Sequence, residues 1–176
     1  MQLCEIEVGS VFSYGGRSFT LLDRREDRHL CIAAAGEGSR QYDSGLHARF
    51  DQAAVGRFLN QDYYEALLAD GASAADFSPL VMNLANGGVG DVVYALHVGL
   101  LSWRQWFFYR DRIPPIWRWQ WTCSLADGIR GTGLRCMAGA GANGYAYFPP
   151  NHPEPVLRPA VSLFGFAEVE ALGDRE

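Results

Sequence analysis

The sequence predicts an α+β fold: a mostly antiparallel β meander, loop-rich, with one or two short helices. Three observations carry that expectation. Short apolar runs separated by glycine pairs or charged turns recur through the first third of the chain. Only one segment, residues 51–70, switches to a helical period. Twenty glycines and eight prolines in 176 residues suit turns and hairpins better than a helical bundle. An apolar fraction of 48% and an aromatic fraction of 13% are enough to fill a core, which excludes a wholly disordered chain. This length fits a single domain over 1–176, with N-terminal β hairpins at 7–34, a helix at 51–70 and a C-terminal β region at 91–163.

The elements follow in order. Glu7 to Phe12 reads as a strand that turns at Tyr14-Gly15-Gly16, and Ser18 to Leu22 returns as its partner. Arg24 to Arg28 is a charged turn before a buried strand, His29 to Ala34. From Phe50 to Asp70, Ala54, Phe58, Leu59, Tyr63, Ala66 and Leu67 recur at three and four, which is helical. Asp51 is placed to cap that helix and Gly71 to end it, and Gly56 and Asn60 predict a break into two short helices. A small-residue loop spans 72–90, with a short strand at Leu80 to Leu84. Asp91 to Val98 is the next strand, and Leu101 to Tyr109 a helical turn that Pro114-Pro115 closes. A tryptophan-rich strand, a glycine-rich hairpin at 128–144 and a last strand, Val156 to Leu163, complete the chain.

Charge and composition remove several function classes. All fifteen cationic side chains are arginines, so Schiff-base lysines, phosphate-loop lysines and lysine general bases are excluded. A net charge of −5 argues against general nucleic-acid binding. No apolar run approaches the ~18 residues of a membrane-spanning helix. MQLCEIEVGS has neither the basic segment nor the apolar core of a signal peptide, so synthesis and retention in the cytoplasm are expected, with later incorporation into a virion. Cys4, Cys31, Cys123 and Cys136 lack the close spacing of a zinc site. Cys123 and Cys136 are read as reduced thiols or as a pair across a hairpin, the reduced form being favoured without an export signal. Neither cofactor nor metal is expected.

The candidate face is aromatic. Trp103, Trp106, Trp117, Trp119 and Trp121 fall within nineteen residues, more than a small core comfortably buries. Trp117, Trp119 and Trp121 have period 2, which puts three rings on one side of a strand and Arg118 and Gln120 on the other. The stripe reads either as a core face or as a stacking platform for a sugar or another planar ligand, with some rings at an interface. Asn143, Tyr145 and Tyr147 on the glycine-rich hairpin suit adaptable recognition. Arg158, before Pro159, is assigned a structural pairing with Asp127 or Glu154, with ligand binding as the other reading. The four histidines show no metal spacing. Ser124, His97 and Asp127 permit a triad on paper, but no G-x-S-x-G elbow supports it. The glycines from Gly131 to Gly144 lack the strand–loop–helix context of a phosphate loop.

Four segments resemble, in order, the motifs of a family of uncharacterised bacterial and phage domains. They are Arg57-Phe58-Leu59-Asn60-Gln61-Asp62-Tyr63-Tyr64, similar to "R-x-W-L-N-x-x-F-Y"; Asp91-Val92-Val93-Tyr94-Ala95-Leu96, similar to "D-K-V-F-L-L-S"; Trp121 to Leu125, near "W-W-L-R-S"; and Leu157-Arg158-Pro159-Ala160-Val161-Ser162-Leu163, similar to "V-R-P-A-L-x-L". Thr122 stands where the third motif has its second tryptophan. The resemblance implies a layout like that of C-type-lectin-like and formylglycine-generating-enzyme-like folds, in which the two chain ends close a small sheet that carries long loops. It brings no catalytic residues. The expected function is that of a non-enzymatic structural or binding protein, a phage-particle component that contacts itself or other particle proteins. The alternative is a lectin-like glycan- or receptor-binding module, and behind it a small enzyme.

Overall fold

The computed structural model describes residues 1–45, 47–85, 91–126, 134–138 and 145–172. Twelve strands are described: β1 (Val11–Tyr14), β2 (Arg17–Arg25), β3 (Arg28–Ala33), β4 (Phe77–Ser78), β5 (Leu80–Asn83), β6 (Val92–Ala95), β7 (Val98–Gly99), β8 (Trp119–Leu125), β9 (Leu134–Ala138), β10 (Tyr145–Phe148), β11 (Ala160–Phe164) and β12 (Glu170–Ala171). The helices are α1 (Ala54–Phe58), α2 (Tyr64–Ala69) and α3 (Trp103–Phe108), with a π-turn at Leu59–Tyr63 between the first two. The fold is α+β, and every strand pair is antiparallel.

The largest sheet runs β12-β1-β2-β3-β11-β4, with β7 also on β11. Its first turn is Gly15-Gly16 at φ 53° and 68°, a left-handed pair that tight hairpins require and glycine adopts without strain. β11 crosses from the far end of the chain to pair with β3, Val161 opposite Cys31 and Leu163 opposite His29. The two ends of the chain meet. Leu3 N–H donates to the Ala167 carbonyl (2.8 Å), Val169 N–H to that of Met1 (2.9 Å), and Leu172 N–H to that of Val11 (3.3 Å). β8-β9-β10 form a second sheet and β5-β6 a two-stranded ribbon. One apolar cluster from Leu3 to Val169 joins the elements, with Phe12, Phe19, Leu21, Ile32, Leu59, Met82 and Leu100 fully buried.

The helical segment breaks where the sequence places the break. Asn60 lies in the π-turn and clamps it to the start of β7. Its amide donates to the Gly56 (3.0 Å) and Val98 (2.8 Å) carbonyls, and its oxygen accepts from His97 (3.0 Å) and Val98 (3.1 Å) N–H. Gly71, at φ 102°, follows the last turn, as expected. The cap differs: it is Asp43, eleven residues upstream, that accepts the Ala54 N–H (2.8 Å), while Asp51 is ion-paired with Arg49. A long-range carboxylate displaces the local one because Ala53, not Asp51, occupies the N-cap position.

Other boundaries also move. Glu7 to Ser10 is a turn, closed by Ser10 N–H on the Glu7 carbonyl (3.1 Å), and not the start of a strand. The charges from Arg24 to Arg28 ride on the strands, and only Glu26-Asp27 turns. The Asp91 to Val98 strand is broken at Leu96-His97, and Asn60 takes the His97 and Val98 backbone N–H groups. The final strand begins at Ala160, just past Pro159, which lacks the N–H a ladder needs. In the 128–144 hairpin, residues 128–133 and 139–144 lie outside the described residues. No described helix is long and apolar enough to cross a membrane.

Candidate functional site

The expected aromatic stripe splits at the start of β8. Trp121 is buried; its ring meets Tyr42 edge-on at 5.4 Å and its indole N–H donates to the Arg40 carbonyl (2.8 Å). Trp119 is half-buried against Phe148, whose ring also contacts Trp121 and His152. Both rings therefore pack inward, the core-face reading. Trp117 does not belong to the stripe. It precedes the strand, and its side chain is 85% exposed. Arg118 beside it is exposed and donates to the Ser39 hydroxyl, which donates to the Glu154 carbonyl (2.8 Å).

Trp103 and Trp106 belong to α3. Ser102 caps this helix through a reciprocal box: its hydroxyl accepts the Gln105 N–H (3.2 Å) and Gln105 Oε1 accepts the Ser102 N–H (3.0 Å). That geometry turns Trp106 into the core and leaves Trp103 half-buried. Phe108, two residues beyond Trp106, is instead 77% exposed. On β10, Tyr147 alternates with Phe148 and points outward. Tyr145 is described by its backbone, which pairs with Met137, and Asn143 lies outside the described residues.

Arg158 takes its structural reading, through carbonyls and an amide oxygen. It is 2% exposed and pairs with no acid among the described residues, Asp127 lying outside them. Nε donates to the Ala33 carbonyl (2.8 Å), one terminal nitrogen to Gln120 Oε1 (3.0 Å), and the other to the Ala34 (3.0 Å) and Pro114 (2.6 Å) carbonyls. Burial brings its pKa down to about 10, so it stays cationic at neutral pH. The guanidinium ties β3, the β8 strand and the loop after α3 into one knot. Its job is structural. It is not part of an accessible face.

Ser124 and His97 are each held in packing contacts. The Ser124 hydroxyl is buried and accepts the Trp103 N–H (3.0 Å). His97 stacks flat on Tyr64 at 3.8 Å with Phe77 edge-on, and burial lowers its pKa. Asp127 lies outside the described residues. Cys123 is a free thiol that burial pushes up to about 12, and the strand register sets Cys136 opposite Trp121 rather than Cys123. Among the described residues, no group of three His, Cys, Asp or Glu side chains is arranged to hold a metal ion.

Sequence reading missed a groove of about 360 Å³ between the start of α1 and the end of β6, lined by Phe50, Asp51, Arg57, Gln61, Tyr94 and Leu96 among others. The signal was present: Val92, Tyr94 and Leu96 alternate with Val93 and Ala95, so the strand has an outer face. Comparison with protein-family models, curated proteins and solved structures returned no match.

Proposed function

We propose that this chain is a non-enzymatic structural or binding protein, a decoration, neck or tail-associated component of a phage or phage-derived particle. Trp117 carries the reading: its indole is 85% exposed and stands next to an exposed arginine. Tryptophan and arginine are over-represented among residues that dominate binding energy. The order of the four family-like motifs supports the particle assignment. The meeting of the chain ends beside β1 supports a lectin-like layout, although a fold by itself assigns no function. The protein is made in the cytoplasm and ends in the virion.

Native mass spectrometry across a concentration series, with hydrogen exchange read at Trp117 to Trp119, tests this reading. A defined oligomer protected at those residues supports it; a monomer throughout, unprotected there, overturns it. A glycan- or receptor-binding module is the second reading, favoured by the same exposed ring, two residues before the Trp119 that packs on Phe148. It requires quenching of Trp117 emission by a saccharide, lost in Trp117→Ala.

A further inference from the structure

A pocket of about 170 Å³ opens where the tip of the β2–β3 hairpin meets β11, β5 and α3. Its polar lining side chains are Arg25, Arg28, Gln105 and Ser162. Among the described residues no carboxylate lines it, although the chain carries a net charge of −5. The two arginines stand directly opposite each other on β2 and β3, so both side chains leave one face of the hairpin. Like charges so placed destabilise a strand pair. Their neighbours occupy them only in part. Asp23 takes Arg25 Nε (2.9 Å) and the Tyr109 hydroxyl takes one terminal nitrogen (3.2 Å), which leaves the other without an acceptor among the described residues. Asp27 lies 3.9 Å from Arg28 Nε, beyond hydrogen-bond reach, and neither Arg28 terminal nitrogen has an acceptor among the described residues.

The uncharged donors are spare as well. Gln105 Oε1 is held by the Ser102 N–H (3.0 Å), and the amide nitrogen at the other end of the same group has no acceptor among the described residues. Ser162, 8% exposed, shares a 2.8 Å hydrogen bond with the fully buried Ser78 hydroxyl, and either can donate. When Ser78 donates, the Ser162 proton is left for the pocket. We propose that this pocket binds a tetrahedral oxyanion, a phosphate or sulfate group. The inference goes beyond the particle reading and does not depend on it. Guanidinium forks match pairs of oxygens on such a group, and the amide and hydroxyl donate to those that remain. The volume lies below the ~300 Å³ at which sites for whole organic ligands begin, so the pocket holds the anionic group itself.

Isothermal titration calorimetry of the full chain at low ionic strength, with inorganic phosphate, inorganic sulfate and phenyl phosphate as probes, tests it. Saturable one-to-one binding is expected. Arg28→Gln removes one cation, and Val81→Asp brings a carboxylate to the pocket wall. Each should weaken binding by about tenfold or more, the loss of a hydrogen bond between charged groups. Both positions are exposed, so unchanged melting curves establish that the variants fold, and either one suffices. Arg57→Gln, at an exposed cation that does not line the pocket, should leave the affinity unchanged. Phenyl phosphate that binds more tightly than inorganic phosphate marks the group as part of a larger ligand; equal or weaker binding marks the free ion. Wild-type protein without saturable binding, full affinity in either folded pocket variant, or the same loss in Arg57→Gln overturns the proposal.

Discussion

At the residue scale, two polar side chains do more for the fold than any ion pair. Arg158 satisfies three carbonyls and Gln120 from a fully enclosed position. Arg158→Ala strands those acceptors in the core, and urea denaturation should show a loss of about 3–5 kcal/mol. Arg158→Lys should recover only part of it, since an ammonium lacks the planar fork that reaches the separate acceptors. Asn60 is the second. Its four hydrogen bonds join the π-turn to β7, and Asn60→Ala should cost about 2 kcal/mol by the same measurement. The importance of neither residue follows from its identity alone. Arginine and asparagine are ordinarily surface residues, and distant backbone groups are what enclose Arg158 and half-bury Asn60.

At the element scale, local chemistry and tertiary contact share control. α3 is locally specified: Ser102 and Gln105 form its capping box, so Ser102→Ala should destabilise by about 1 kcal/mol. α1 is not. Its cap arrives from Asp43, and its Gly56 is required by the Phe50 carbonyl and not by helix propensity. Gly56→Ala gains about 1 kcal/mol in intrinsic helix preference, yet a lower melting temperature is expected because the added methyl overlaps backbone. The hairpin turn at Gly15-Gly16 and the helix break near Asn60 were legible from residue type. The cap was not, since a cap from eleven residues away leaves no local pattern.

At the scale of the whole molecule, the titrating groups set a stepped acid response. Burial works to raise the Asp23 and Asp43 carboxyls. Hydrogen bonds from Tyr109 and Arg25 to Asp23, and from the Ala54, Gly45 and His47 backbone to Asp43, outweigh it and hold both below 3.8. Their stabilisation is present above that value and is lost as pH falls through the folded-state pKa values. His97 titrates earlier. Its folded pKa lies below the ordinary 6.5, so the unfolded chain binds the proton first and stability begins to fall as pH drops below 6.5. Denaturation free energies measured from pH 8 to pH 3 should show a shallow decline and then a steeper one. His97→Gln should remove the first and leave the second.

The sequence by itself determined the α+β class, the first hairpin turn, the helical segment and its break, and a reserve of aromatic side chains larger than the core needs. Those properties depend on period, turn chemistry and composition, all of which are local. Tertiary structure decided which tryptophans are spent on packing: Trp106 and Trp121 go inward, while Trp117, one step short of β8, stays out. It also made Arg158 an internal tie and opened the groove beside β6. The physical reason is the same in each case. Burial and hydrogen-bond satisfaction depend on partners tens of residues away, and the period of a strand states that a side chain has a face without stating what covers it.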